Sequence, residues 1–216
     1  MARNSHPEET VKRILEVSMR LFKEKGYEQT TIADIVSELG DLSKGAIYHH
    51  FKSKEEIIVA ASEEHGRDLE REISILNTNS ELNGLQKIRY LFHMSINSDK
   101  QERIISAVPN LLQNPRFLAE ELHTGNKYVA PIIEKFIHEG IADGSIIANQ
   151  PKQTAEVLIL LADIWVNPLV FVCDKAEFHD KCIFLMELCK KLGVPVFDQE
   201  MFTRIEYLHQ LANSYR

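Results

Sequence analysis

The chain has 216 residues, 44% hydrophobic and 26% charged, an ordinary globular composition long enough for one sizeable core or a small domain joined to a larger one. Its net charge of −7 opposes nucleic-acid binding at first sight, but the acid excess lies mostly beyond residue 56: Lys and Arg stand nine against ten Asp and Glu in residues 1–56, and sixteen against twenty-two thereafter. The longest apolar run, Val157 to Cys173, is broken by Asp163 and Asn167 and is too short for a bilayer span, and the first ten residues hold no signal-like apolar stretch, so a cytoplasmic protein is expected.

Helical periodicity governs almost every segment and predicts an all-α fold. Val11, Ile14, Leu15, Ser18 and Phe22 form one stripe, Lys12, Arg13, Glu16, Arg20 and Lys23 take the other side, and Gly26 stops the helix by accepting positive φ. A second helix begins at Thr31, whose hydroxyl can cap the turn while Asp34 reaches back, and runs to about Leu39. Gly40 and Asp41 make a turn, and Ser43 caps a third helix about two turns long. Ser53-Lys54-Glu55-Glu56 repeats the capping-box pattern at the start of a fourth, which Ile57, Ile58, Ala61, Leu69, Ile73 and Leu76 continue. After a polar linker over 77–83, helices are expected near 84–97, 101–112, 115–142, 152–173, 176–192 and 198–213, with Pro131 kinking or splitting the longest.

Residues 31–51 therefore read as helix, tight turn and short second helix. Ile32, Ile35, Val36, Leu39, Leu42, Ile47 and Phe51 can bury together with the first helix, leaving Ser43, Lys44, Gly45, Tyr48 and His49 facing outward, a face suited to a major groove. Between Ser43 and Lys54 there are three lysines, two histidines and no acid, a local basic edge. Lys44 can reach a phosphate or a guanine edge, or simply remain solvated. Glycine within a helix costs about 1 kcal/mol against alanine, so Gly45 serves either close approach to DNA or tight packing against the second helix. His50 contacts DNA or caps a neighbouring helix; a His-His pair without a third ligand does not point to a metal.

The stretch Ile14 to Ile57, with LFKEKGYEQTTIADIV followed by SKGAIYHHFKSKEEI, resembles the N-terminal domain of the tetracycline-repressor (TetR) family over its whole length. One departure is Gly-Asp-Leu-Ser where the family has Gly-Val-Ser, so that Asp41 looks like a one-residue insertion able to tilt the recognition helix. The resemblance implies that Thr31 bonds a phosphate as well as capping its helix, that the Tyr48 hydroxyl meets the DNA backbone, and that Lys54 clamps a phosphate. It further implies a three-helix helix-turn-helix domain over 1–56 and a larger helical effector-binding and dimerisation domain over 57–216. The expected function is that of a transcriptional repressor without a cofactor, binding a palindromic operator as a homodimer and released by a small-molecule effector. An enzyme is disfavoured, since the chain holds no nucleophile elbow, phosphate-cradling glycine loop or HExxH motif.

EGIADGSI at 139–146 looks like the family's turn before the last long helices. Beyond it, 155–173 is apolar almost all round and 182–192 is strongly amphipathic, so both need covering. Paired with their symmetry mates, the helices near 152–173 and 176–192 resemble the family's four-helix dimer interface. An effector pocket is expected among the middle helices, with Tyr90, His93, Phe117, His123, Tyr128 and Phe136 as lining candidates, although aromatics so spaced also build plain core. Asp163, Trp165 and Asn167 serve either that pocket or the interface. Cys173, Cys182 and Cys189 lack CxxC spacing and read as buried thiols, with a redox pair of Cys182 and Cys189 as the alternative.

Overall fold

The structure, a computed structural model, describes residues 7–108 and 111–215. Its helices are α1 (Pro7–Lys25), α2 (Ile32–Leu39), α3 (Lys44–His50), α4 (Lys54–Thr78), α5 (Gly84–Asn97), α6 (Asp99–Ala107), α7 (Pro115–Thr124), α8 (Ala130–Asp143), α9 (Pro151–Leu160), α10 (Lys175–Lys191) and α11 (Gln199–Ser214), with no strand among the described residues. None of these is long and apolar enough to cross a membrane. The chain divides into two compact units, Met1–Glu70 with Ser106–Val108, and Arg71–Ile105 with Pro109–Arg216.

In the first unit, Ile14, Leu15, Leu21 and Phe22 of α1 are buried with Ile35, Leu39, Ile47, Phe51, Ile57 and Ile58. Val11, Ile32, Val36 and Leu42 of the expected stripes are half-buried. Gly26, at φ 86°, ends α1 with its amide on the Phe22 carbonyl, and Gly40, at φ 71°, ends α2 with its amide on that of Val36. Both positions need left-handed backbone, which only glycine adopts freely. The fourth helix departs from its expected capping box. Ser53 Oγ accepts from the Glu56 amide at 3.3 Å, but the Glu56 carboxylate accepts from the Lys52 amide at 2.7 Å, one residue earlier than the reciprocal pattern requires. Along α4, Leu76 is buried and Ile73 half-buried; the side chain of Leu69 lies outside the described residues.

In the second unit the first turn of α5 seats on the end of α8 with no side chain between the backbones. A β-carbon on Gly84 would overlap the Gly140 and Phe136 backbone, and one on Gly140 would overlap Ile146. The free amides at the start of α5 are taken up by Asp143 Oδ2 and Ser145 Oγ, at 2.8 and 3.3 Å, in the turn that follows α8. Buried Lys87 answers Glu139 at 2.7 Å and lies over the Phe136 ring. Arg89 donates to the carbonyls of Pro195 and Val196, fixing the segment that leads into α11, and Phe178 of α10 stacks on His209 of α11 at 4.0 Å between centroids.

Three expected helices are corrected. The one near 101–112 ends at Ala107, with a separate 3-10 turn at Leu111–Gln113; residues 109 and 110 of that expectation lie outside the described residues. The one near 115–142 does split, and the break occupies Gly125–Val129, ahead of Pro131. There the Ala130 amide reaches back to the Gly125 carbonyl, a wide turn that keeps the proline ring from the carbonyl four residues earlier. The one near 152–173 stops at Trp165, after a second wide turn, Leu161–Trp165. Asn167 terminates it by donating to the Asp163 carbonyl and accepting from the Leu169 amide, and Pro168 has no amide to continue the ladder.

Candidate functional site

The exposed edge of the first unit is assembled by local hydrogen bonds. The Thr31 hydroxyl accepts from the Asp34 amide at 3.1 Å and donates to the Asp34 carboxylate, which also receives the Thr31 amide and Lys25. These bonds, the Thr31 hydroxyl foremost, hold Asp34 far below the ordinary carboxylate range. Thr31 is thus fully engaged as a cap, and its proton would have to leave Asp34 to serve a phosphate. Ser43 Oγ accepts from the Ala46 amide at 3.1 Å and starts α3.

With Ile47 buried beneath it, α3 presents Lys44, Gly45, Tyr48 and His49 to solvent; Tyr48 is 44% exposed and the Lys44 ammonium lies 5.8 Å from its ring centre. A β-carbon on Gly45 would meet nothing nearer than Ser43 Oγ, 3.8 Å away. No neighbour presses on this glycine in the way the tight-packing explanation requires, and the space over it is open. His50 is half-buried between His49 and Phe51. Lys54 points inward: its ammonium donates to the Tyr27 carbonyl at 2.6 Å and sits over the Tyr27 ring, whose hydroxyl donates to Glu55 at 2.7 Å. Burial, then the bond to Glu55, raises the Tyr27 phenol, and that bond lowers Glu55.

Asp41 has a partner that no local reading reveals. The Arg13 fork takes both its oxygens, at 2.8 and 2.7 Å, tying the turn before α3 back to α1 across 28 residues. The Arg13 hydrogen bonds hold the carboxyl of Asp41 below its ordinary value.

The expected pocket residues of the second unit do not converge. Phe136 and Phe117 are core, and the Tyr90 hydroxyl donates to Glu72 at 3.1 Å. His93 faces Asp198, while exposed His123 and Tyr128 face each other. Trp165 packs edge-on against Phe184, and Asn167 ends its helix. Asp163 alone among the nine lines a cleft, together with Glu121, Leu122, Gly125, Asn126, Glu156, Ile159, Leu160 and Ile164. The sequence signal for this cleft is Gly125, ahead of Pro131, which allows the close approach of α9. Separately, Val157, Leu160, Phe171, Val172 and Phe184 form an apolar set left exposed on α9, α10 and the segment joining them. Cys182 and Cys189 are buried, and burial pushes both thiols up to about 12, so neither supplies the thiolate a redox pair needs.

Residues 14–61 match the family model described as bacterial regulatory proteins, tetR family. An uncharacterised HTH-type transcriptional regulator of Bacillus subtilis, YerO, is 53% identical over 55 residues, which is 26% of this chain and 19% of that protein. The HTH-type transcriptional repressor KstR2 of Mycolicibacterium smegmatis is 30% identical over 151 residues, 65% of this chain and 69% of the relative. Among solved structures, a TetR-family transcriptional regulator from Pectobacterium atrosepticum superposes with a TM-score of 0.59 at 21% identity, covering 89% of this chain and 98% of that one.

Proposed function

The chain belongs to the tetR family of bacterial regulatory proteins and is a DNA-binding transcription regulator, not an enzyme; from that premise we propose that it is a repressor that grips a palindromic operator as a homodimer and lets go when a small-molecule effector binds. In this reading 1–56 is the DNA-binding domain and 57–216 binds effector and partner.

The observation that carries the DNA contact is the exposed acid-free face of α3. Lys44, Tyr48 and His49 project around a glycine whose missing side chain leaves open space. Ser43, His50 and Thr31 flank that face. Lys54 acts here mainly through its grip on the Tyr27 carbonyl, which sets where α4 begins and so where its free amides meet a phosphate. Homodimerisation is supported by the exposed apolar set around Leu160 and Phe184, 47% and 56% accessible, since apolar side chains so grouped seek a partner. A twofold pairing there would let two copies of α3 read successive major-groove faces about 34 Å apart. The helical limits of that surface are Pro151–Trp165 and Lys175–Lys191, with the non-helical Val166–Cys173 between them.

Selection of bound duplexes from a random pool, followed by sedimentation of the complex, tests the proposal. The expected result is an inverted repeat bound by two chains. Recovery of no preferred sequence, or a one-to-one complex on a single half-site, would overturn it.

A further inference from the structure

The cleft in the second unit is built where two irregular helix ends meet. Gly125–Val129 and Leu161–Trp165 are both wide turns, closed by Ala130 N on Gly125 O and by Val166 N on Leu161 O. Such turns re-aim the side chains around them and concentrate at functional positions. A β-carbon on Gly125 would press on Ile159 Cγ2 at 2.9 Å, so the first turn approaches the last residues of α9 almost backbone to side chain, and the cleft opens beside that contact.

The chemistry of the cleft is one-sided. Leu122, Ile159 and Leu160 give it apolar walls; Glu121, Asn126, Glu156 and Asp163 give it acceptors; among the described residues no lysine, arginine or histidine lines it. The Asp163 carboxyl is half-buried and lines this space, and no described side chain or amide donates a hydrogen bond to it; its main-chain oxygen accepts from the Asn167 side-chain amide. A carboxyl drawn partly out of water without a donor is costly to ionise, and a cation entering the cleft would offset that cost. Burial, with the Glu121 charge adding to it, lifts Asp163 to about 7, and protein crowding raises Glu121 although its outer side is open to solvent. The free space admits little more than one water-sized group.

We propose that this cleft seats the ammonium head of a small organic amine, whose hydrocarbon body lies outward along Leu122. An ammonium is about the size of a water, carries three donors for the Asp163, Glu121 and Asn126 oxygens, and supplies the positive charge the walls lack. A guanidinium is too broad, an alcohol has one donor and no charge, and a carboxylate is repelled. The proposal rests on the effector reading above and names the class of effector.

The test is calorimetric titration of the full chain with n-hexylamine hydrochloride, 1-hexanol and hexanoate at neutral pH. Hexylammonium is expected to bind and the other two are not. Asp163→Asn and, separately, Glu121→Gln should each weaken it by about tenfold or more, both variants keeping a cooperative thermal transition. Equal binding of hexylamine and hexanol, or undiminished affinity in Asp163→Asn, would overturn the seat. Sedimentation of the saturated sample separates a free amine, which leaves assembly unchanged, from a lysine of a second copy, whose displacement would dissociate the assembly and overturn the proposal. Operator affinity is measured on the same samples. Binding with no loss of DNA affinity sustains the seat and refutes only its role in release.

Discussion

Replacing Gly45 by alanine separates the stability of α3 from its use. The new β-carbon would stand 3.8 Å from Ser43 Oγ and touch nothing else, an ordinary van der Waals distance, so no clash opposes the change. Alanine is preferred over glycine in a helix by up to about 1 kcal/mol, and this first-turn position should realise part of that. The thermal midpoint of Gly45→Ala is therefore expected to hold or rise. Its affinity for the selected operator is expected to fall by about tenfold, equivalent to about 1.4 kcal/mol, because the methyl group occupies the space through which the helix backbone nears the duplex. Fluorescence anisotropy with a labelled operator, run beside thermal unfolding of the same preparations, reads both quantities. Unchanged affinity would refute close approach as the reason for this glycine, and a lowered midpoint would refute the open space around it.

Phe184→Glu should dissociate the assembly and cost most of the operator affinity, and sedimentation showing an unaltered dimer would remove that surface from the interface. Gly84→Ala should destabilise the second unit by more than about 3 kcal/mol in urea titration, since backbone stands where the β-carbon would go; a loss below about 1 kcal/mol would contradict that contact. Asp163, raised to about 7 against an ordinary value of about 3.9, holds its proton more tightly folded than unfolded, so its contribution to stability falls as pH climbs through that window. Asp163→Asn should accordingly gain stability by roughly 2 kcal/mol at pH 5 and at most about 4 kcal/mol at pH 8, and stability curves that run parallel between those pH values would show that the carboxyl is not desolvated.

Legibility followed the range of the interactions. Thr31 with Asp34, Ser43 with the Ala46 amide, and the glycines that end α1 and α2 act over three or four residues, so their roles could be read from adjacent letters. The resemblance over Ile14 to Ile57 extended that reading to the fold. Arg13 and Asp41 could not be paired, because nothing local distinguishes this arginine from its neighbours; the turn had to fold back first. Phe117 and Phe136 carried the same spacing whether they lined a pocket or filled a core, and packing decided for core. Residues 166–173 read as helix because apolar composition and helical spacing agree there, yet Asn167 and Pro168 jointly end the ladder. Glu121 and Asp163 lie 42 positions apart and meet only because two helices end in wide turns.

The seating of Gly84 on Gly140 also sets the mechanics of the second unit. Side chains between two helices behave as a cushion that absorbs small displacements by changing rotamer, and where Gly84 meets Gly140 that cushion is missing. α5 and α8 should therefore travel as a single strut, handing on undamped whatever push one of them receives, while the give resides in Gly125–Val129 and Leu161–Trp165. Tyr90 on Glu72 and Lys135 on Asn77 bolt the two arms of that strut to the last turns of α4.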